Sequence, residues 1–172
     1  TQIIEIQATQ EEVETEEDFV RKFLIMKFTA TWCVNCPKMS DEIKKKKNEY
    51  PRQIVDMAIH HLDEMQVDVG KKFVEHFNIN AIPVAVVNFN KNKQTSVSSS
   101  TLLSNFIKEI EEKSLEPCGI KIETTKDETL LNVDISCTIR EEGKYKRVVA
   151  IVQDNISKAQ TGAGTDYIHH GV

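Results

Sequence analysis

Up to about residue 114 the apolar positions fall in short unbroken runs separated by amphipathic stretches. Phe23-Leu24-Ile25-Met26-Lys27-Phe28 is mostly apolar, the pattern of a strand covered on both faces. Ile54 to His60 and Val84-Ala85-Val86-Val87-Asn88-Phe89 read the same way. Helical spacing lies between and after them. It runs from the cysteine pair to about Tyr50, and over Asp68 to Phe77 with Val69, Phe73 and Phe77 on one stripe. A last helix follows Ser100, its cap, with Leu102, Leu103, Phe106, Ile107 and Ile110 on one face. Ile3 to Gln7 predicts a short strand. Thr9-Gln10-Glu11-Glu12 and Thr15-Glu16-Glu17-Asp18 are capping-box patterns that predict a helix to about Lys22, burying Val13, Phe19 and, at its end, Val20. Asn90-Lys91-Asn92-Lys93 is a turn, from which Gln94 to Ser98 returns antiparallel. The order β-α-β-α-β-α-β-β-α predicts an α/β sheet with helices on both faces.

At about Ser114 the texture changes. Leu131, Val133, Ile135, Cys137 and Ile139 are apolar at every second position, with polar residues between them, the period of a strand with one buried face. Ile120 and Ile122 continue the pattern upstream, and Val149 and Ile151 downstream. Two domains are therefore expected: residues 1–114, and an antiparallel β-module over residues 115–172. A module of about sixty residues is marginal for a core of its own. It must dock on the first domain, find a partner, or be a piece of a larger sandwich. Gly162-Ala163-Gly164 lacks the strand-loop-helix setting of a phosphate loop and reads as flexible linker.

Composition narrows the chemistry. With 172 residues, 40% apolar and 28% charged, the chain is a globular protein rather than a disordered one. A net charge of −5 and no basic stretch interleaved with aromatics argue against nucleic acid as partner. The run Lys44 to Lys47 reads as the solvated end of a helix. No apolar run reaches bilayer-spanning length. The chain opens on Thr1, so the lack of a leader says little about location.

Chemistry concentrates in TATWCVNCPKMS. A zinc site would need four ligands, yet Cys118 and Cys137 lie far off in strand patterns and no histidine pair has knuckle spacing; no metal is expected. A redox dithiol fits better. At the mouth of a helix, Cys33 faces unpaired N–H groups and the positive end of the dipole, both of which favour the thiolate. Cys36, one turn later, returns beside it as a less exposed resolving partner. Pro37 in the first turn removes an N–H that has no helical acceptor. Trp32 can lie over the sulfur as an apolar lid, or simply pack.

FTATWCVNCPKMS after an apolar strand, with NINAIPVAVVNF about fifty residues on, resembles thioredoxin over roughly Thr1 to Lys113. The resemblance implies a thioredoxin fold and makes Ile82-Pro83 the cis-proline whose loop packs against the dithiol and supports substrate backbone. It implies protein thiols and disulfides as partners, and no cofactor beyond the dithiol. Two positions depart from the family. Val34-Asn35 replaces the usual Gly-Pro between the cysteines. Lys27 stands five residues before Trp32, where thioredoxins hold a buried acid. A cation there would favour the thiolate of Cys36, and so a more oxidising couple than thioredoxin's. Alternatively its stem packs on the sheet while its head reaches water.

The phrases VDMAIHH, VAIVQDNISKAQ and DYIHHGV, with a β-module behind the first domain, resemble the twenty-eight-kilodalton outer-membrane protein family of anaerobic Gram-negative bacteria. That resemblance implies a periplasmic or outer-membrane-associated cell-envelope protein, with a lipid anchor outside the visible chain. It leaves the oligomeric state open. A hairpin centred on Asp127-Glu128 would set Cys118 opposite Cys137, and an oxidising envelope would permit a disulfide; two buried free thiols are the alternative. His60 ends a strand on the dithiol side and either tunes protons there or is structural. Two functions compete: a thiol–disulfide oxidoreductase acting through Cys33 and Cys36, and a surface or adhesion lipoprotein using the fold as scaffold with an unreactive Cys33–Cys36 staple.

Overall fold

The structure is a computed structural model and describes residues 2–4, 20–96, 100–112, 118–139 and 142–172. In chain order its elements are β1 (Gln2–Ile4), β2 (Phe23–Thr29), α1 (Cys36–Glu49), β3 (Ile54–His60), α2 (Asp68–His76), β4 (Val84–Val87), β5 (Gln94–Ser96) and α3 (Ser100–Glu111). There follow β6 (Cys118–Lys126), β7 (Leu131–Ile139), β8 (Arg147–Val149), β9 (Ile156–Gln160) and β10 (Gly164–His169). The expected first helix, with Val13, Phe19 and both capping boxes, falls outside the described residues; residues 20–22, expected to close it, are not helical, and Val20 is exposed rather than buried.

Two compact units form, and neither is one continuous segment. One joins Lys22–Lys113 to Ile151–Val172, the other Gln2–Arg21 to Ser114–Ala150. The single cut into 1–114 and 115–172 expected from the sequence thus differs from the structure, where the two chain ends are exchanged. Backbone pairing is the reason. Ala58 N donates to Gly171 O at 2.6 Å and Thr161 N to Thr31 O at 2.8 Å, while β1 lies antiparallel to β8 with Ile3 opposite Val148.

In the first unit the sheet order is β3-β2-β4-β5, with β2 parallel to β3 and antiparallel to β4. The unbroken apolar run of β2 feeds both faces. Phe23 and Ile25 enter one core with Met39 and Ile43 of α1 and Leu103 and Ile107 of α3. Met26 and Phe28 enter the other with Phe73 and Val74 of α2, Phe77 and Val86. Each such side chain contributes about 1.5–3 kcal/mol of transfer free energy, which makes β2 the anchor of everything that follows it. The lysine run is only partly solvated: Lys46 is buried on α1 and paired with Glu49.

Gly162-Ala163-Gly164 is no linker. It forms the turn and strand start joining β9 to β10, closed by Ala163 N donating to Gln160 O at 3.0 Å, with Gly162 at φ +86°. In the second unit β6 and β7 form a hairpin, but its register corrects the expected cysteine pairing. Asp127 Oδ1 accepts from Thr129 N and Leu130 N at 2.9 and 2.8 Å, and Asp127 N donates to Leu130 O. This turn chemistry moves the centre of the hairpin by one residue and the pairing by two. Cys118 faces Ile139 and Cys137 faces Ile120, so the cysteines are diagonal neighbours and both are free thiols. Neither is buried. Partial desolvation first, and then Cys137 beside it, push the Cys118 thiol above its ordinary value.

Candidate active site

The dithiol stands where β2 gives way to α1. Cys33 and Cys36 are joined as a disulfide with Cα atoms 5.4 Å apart, within the usual range. Helix α1 starts at Cys36 rather than at Cys33, with Pro37 among its first residues. Cys33 instead sits where two turns meet: its N–H donates to Ala30 O at 3.1 Å, and its carbonyl accepts from Cys36 N at 3.2 Å. Of the two, Cys33 is the more exposed, at 5% against 1%. Ile82 packs on both cysteines and Ala30, and the Ile82–Pro83 bond is cis. Trp32 is half-exposed beside them, its Nε1 donating to Leu62 O at 3.0 Å.

Lys27 lies beneath this site. It occupies the β2 face that points to α1, flanked in register by Ala58 and Ala85, whose small side chains leave room for it. It is buried, and its Nζ donates to Ser40 Oγ at 2.8 Å, one turn after Cys36 on α1. Its head therefore does not reach water. Burial pushes the ammonium below an ordinary lysine's value, against a smaller opposing pull from Asp56. Between that lowered value and the 10.5 of an exposed lysine, the unfolded chain binds more protons than the folded one. Stability therefore rises with pH across this window and is penalised below it. Lys27→Met should unfold at higher urea than the parent at neutral pH and lose the alkaline rise; an unchanged slope would show that Lys27 titrates normally.

At the carboxyl end of β3, His60 is buried. Its Nδ1 lies 2.6 Å from Asp63 Oδ2, and the same oxygen accepts from Thr31 N at 2.7 Å. Asp63 thus ties His60 to the loop that delivers Trp32 and Cys33. His169 of β10 meets the His60 ring edge-on, centroids 5.3 Å apart. Burial, then His60 and Lys27, push His169 below the ordinary histidine value.

The tip of the β9–β10 hairpin reaches the dithiol itself. Gln160 Nε2 donates to Cys33 O at 2.9 Å and to Ala30 O at 3.2 Å. A Cβ at Gly162 would lie 2.6 Å from Val34 O, so only glycine allows this approach.

The thioredoxin family matches residues 4–112, more than half of the chain. The chain belongs to the thioredoxin family. No curated protein sequence matches it. Among solved structures, HBP35 of Porphyromonas gingivalis is similar with a TM-score of 0.67 at 17% identity, covering 91% of this chain and 56% of that one. The chain thus spans a little over half the length of that relative. At this identity the likeness shows the fold, a thioredoxin fold with additional antiparallel strands. Lower similarity is found to a malarial protein (TM-score 0.41, 22% identity, 52% of this chain and 97% of that one). The germline-specific thioredoxin Deadhead of Drosophila melanogaster is comparable (TM-score 0.41, 20% identity, 52% and 81%).

This thioredoxin domain brings Cys33, Cys36 and Ile82 together as one cluster, with Trp32 and Pro83 adjacent in sequence to its members and Lys27 reaching Ser40. Cys118 and Cys137 belong to the other unit. Asp63 and Gln160 escaped the sequence reading, which gives His169 only an exposed loop or a hydrogen-bonded pair; the structure buries it. Asp63 follows the histidine pair by two residues but belongs to no motif. Gln160 carried no usable signal: Ile156-Ser157-Lys158-Ala159-Gln160 has no apolar period, and only the folded strand turns Ile156, Lys158 and Gln160 inward.

Proposed function

We propose that the chain is a thiol–disulfide oxidoreductase of the cell envelope acting on protein disulfides. The observation that carries this reading is the Cys33–Cys36 disulfide at the start of α1, packed against the cis Ile82–Pro83 bond in a thioredoxin domain. Thioredoxins as a family act on protein thiols or disulfides. In the reduced chain the Cys33 thiolate attacks a substrate disulfide, forming a mixed disulfide and expelling one substrate thiolate, which takes up a proton. Cys36 then loses its proton and attacks Cys33 Sγ, the mixed bond breaks, and the second substrate thiolate leaves. Two electrons pass to the substrate, its two thiolates taking up the Cys36 proton and one from solvent, and Cys33–Cys36 is oxidised until a dithiol donor reduces it. Trp32, Ile82 and Pro83 form the groove.

The test is insulin reduction by the chain and by Cys33→Ser. Equal rates would remove this reading and leave the scaffold, with its unreactive staple, in its place.

Lys27 tunes the couple. Its position, with Nζ bonded to Ser40 one turn after Cys36, supports a role in stabilising the Cys36 thiolate whenever the ammonium is charged, and so the reduced form. In a glutathione buffer the parent should equilibrate above about −270 mV, and Lys27→Met about 30 mV lower or more, one decade in the equilibrium constant. A parent potential at or below that value refutes the tuning.

The envelope location, with a lipid anchor beyond the visible chain, rests on the phrases VDMAIHH, VAIVQDNISKAQ and DYIHHGV and on strands added to a thioredoxin domain. Their resemblance to the twenty-eight-kilodalton outer-membrane protein family supports it. Cell fractionation checks it: recovery with soluble cytoplasmic markers would refute the location while leaving the chemistry intact.

A further inference from the structure

We propose that Gln160 is a positioning residue for the dithiol, and that the β9–β10 hairpin is a clamp holding Cys33 in its reactive geometry. The inference rests on the oxidoreductase reading and extends it to a part of the chain outside the matched thioredoxin residues 4–112.

Three consecutive hairpin residues meet the loop that carries the nucleophile. Gln160, 3% exposed, gives one amide nitrogen to Ala30 O and Cys33 O. Thr161 N donates to Thr31 O at 2.8 Å. Gly162 lies against Val34, where a Cβ would sit 2.6 Å from Val34 O and 3.3 Å from Val34 Cα. The carbonyls that Gln160 takes are not arbitrary. Ala30 O also accepts from Cys33 N, and Cys33 O from Cys36 N, so one carboxamide links the two turns that set the position of each sulfur. Each carbonyl oxygen has two lone pairs and can accept both donors.

Such a clamp has a chemical consequence. In a trans peptide the C=O and N–H point in opposite directions, so holding Cys33 O also fixes the direction of Val34 N–H. The amide field around Cys33 is then set before reaction rather than assembled during it. Groups fixed in advance stabilise developing charge without reorganisation, and a nucleophile held in place avoids the cost of being positioned. The site is buried, so water cannot replace the Gln160 amide at no loss; removing it leaves two carbonyls each short of one donor. This bond does not come from within the matched thioredoxin residues. It comes from a residue 127 positions downstream of Cys33.

The experiment uses the full chain, reduced, with Cys33 alkylation by iodoacetamide followed across pH by mass spectrometry, alongside insulin turnover. Gln160→Ala should shift the alkylation midpoint upward and lower the insulin rate about tenfold at neutral pH, chiefly in kcat. Gly162→Ala, which leaves Gln160 in the sequence but pushes the turn off Val34, should move both readouts the same way. It decides the matter if Gln160→Ala fails to fold. Lys158→Ala removes the half-exposed hairpin ion pair with Glu64, 3.2 Å in the parent, and should leave both unchanged. Parent-like alkylation profiles in both clamp variants would overturn the proposal, as would an equal shift in Lys158→Ala. If the parent and Cys33→Ser reduce insulin equally, the oxidoreductase reading falls, and the alkylation profile still judges the clamp on its own.

Discussion

Cys33→Ser is expected to bring disulfide reduction down to the uncatalysed background, and Cys36→Ser to stop turnover at a mixed disulfide. The asymmetry follows from the geometry. Cys33 is the more exposed sulfur, at the junction of two turns, whereas Cys36 is enclosed as the first residue of α1 and packed with Ala30 and Ile82. A serine at 33 leaves no sulfur of the dithiol that an incoming disulfide can reach, since Cys36 is 1% exposed. A serine at 36 leaves the first attack intact but removes the group that would release the product, so a covalent adduct accumulates. Non-reducing electrophoresis after mixing with an oxidised protein substrate reads both results. An adduct in Cys33→Ser and none in Cys36→Ser would reverse the assigned roles. The captured partners of Cys36→Ser would also name the substrates.

The second large effect concerns stability. Phe28→Ala should cost about 3–5 kcal/mol in urea unfolding, because a fully buried ring leaves a cavity its neighbours cannot close. Phe28 is wholly inaccessible and meets Phe77 edge-on, centroids 5.9 Å apart, in the core on the α2 side of the sheet. A domain of ordinary stability holds only about 5–15 kcal/mol in reserve, so the loss removes roughly a fifth to all of it. A loss below about 1 kcal/mol would mean that the core collapses around the deletion, against the close packing of β2 between two helical layers.

These two outcomes differ in how far the sequence alone foretold them. The central strand was legible because both of its faces are buried, and an unbroken apolar run has few other uses at that length. The dithiol was legible because its chemistry needs two sulfurs at a fixed short spacing beside a helix start, and the cis-proline partner falls within one recognisable phrase. The start of α1 was placed too early, since the turn at Cys33 and the helix beginning at Cys36 share the same residues and differ only in backbone closure. Lys27 could be flagged but not placed: a lysine stem suits either a buried or a water-reaching head, and the alanines flanking it in the sheet, with Ser40 above, decided for burial.

The cysteines of the second unit show a different gap. Alternation fixes which residues share a face of β6 and β7, and it does so from sequence alone. It does not fix which residue faces which, because a shift of two preserves every face. The Asp127 side chain chose the register, through hydrogen bonds invisible to a periodicity.

What the sequence by itself determined is therefore local: the α/β order of the first part, the strand faces of the second, and the CxxC pair with its family. Only the tertiary structure decided that the last twenty-odd residues return to the dithiol rather than stay with the β-module. Gln160, Asp63 and His169 acquire their meaning from partners that are distant along the chain or belong to no motif, and no local pattern records such a pairing. Hydrophobic period is a property of neighbours in sequence; a hydrogen bond across 127 residues is a property of the folded whole.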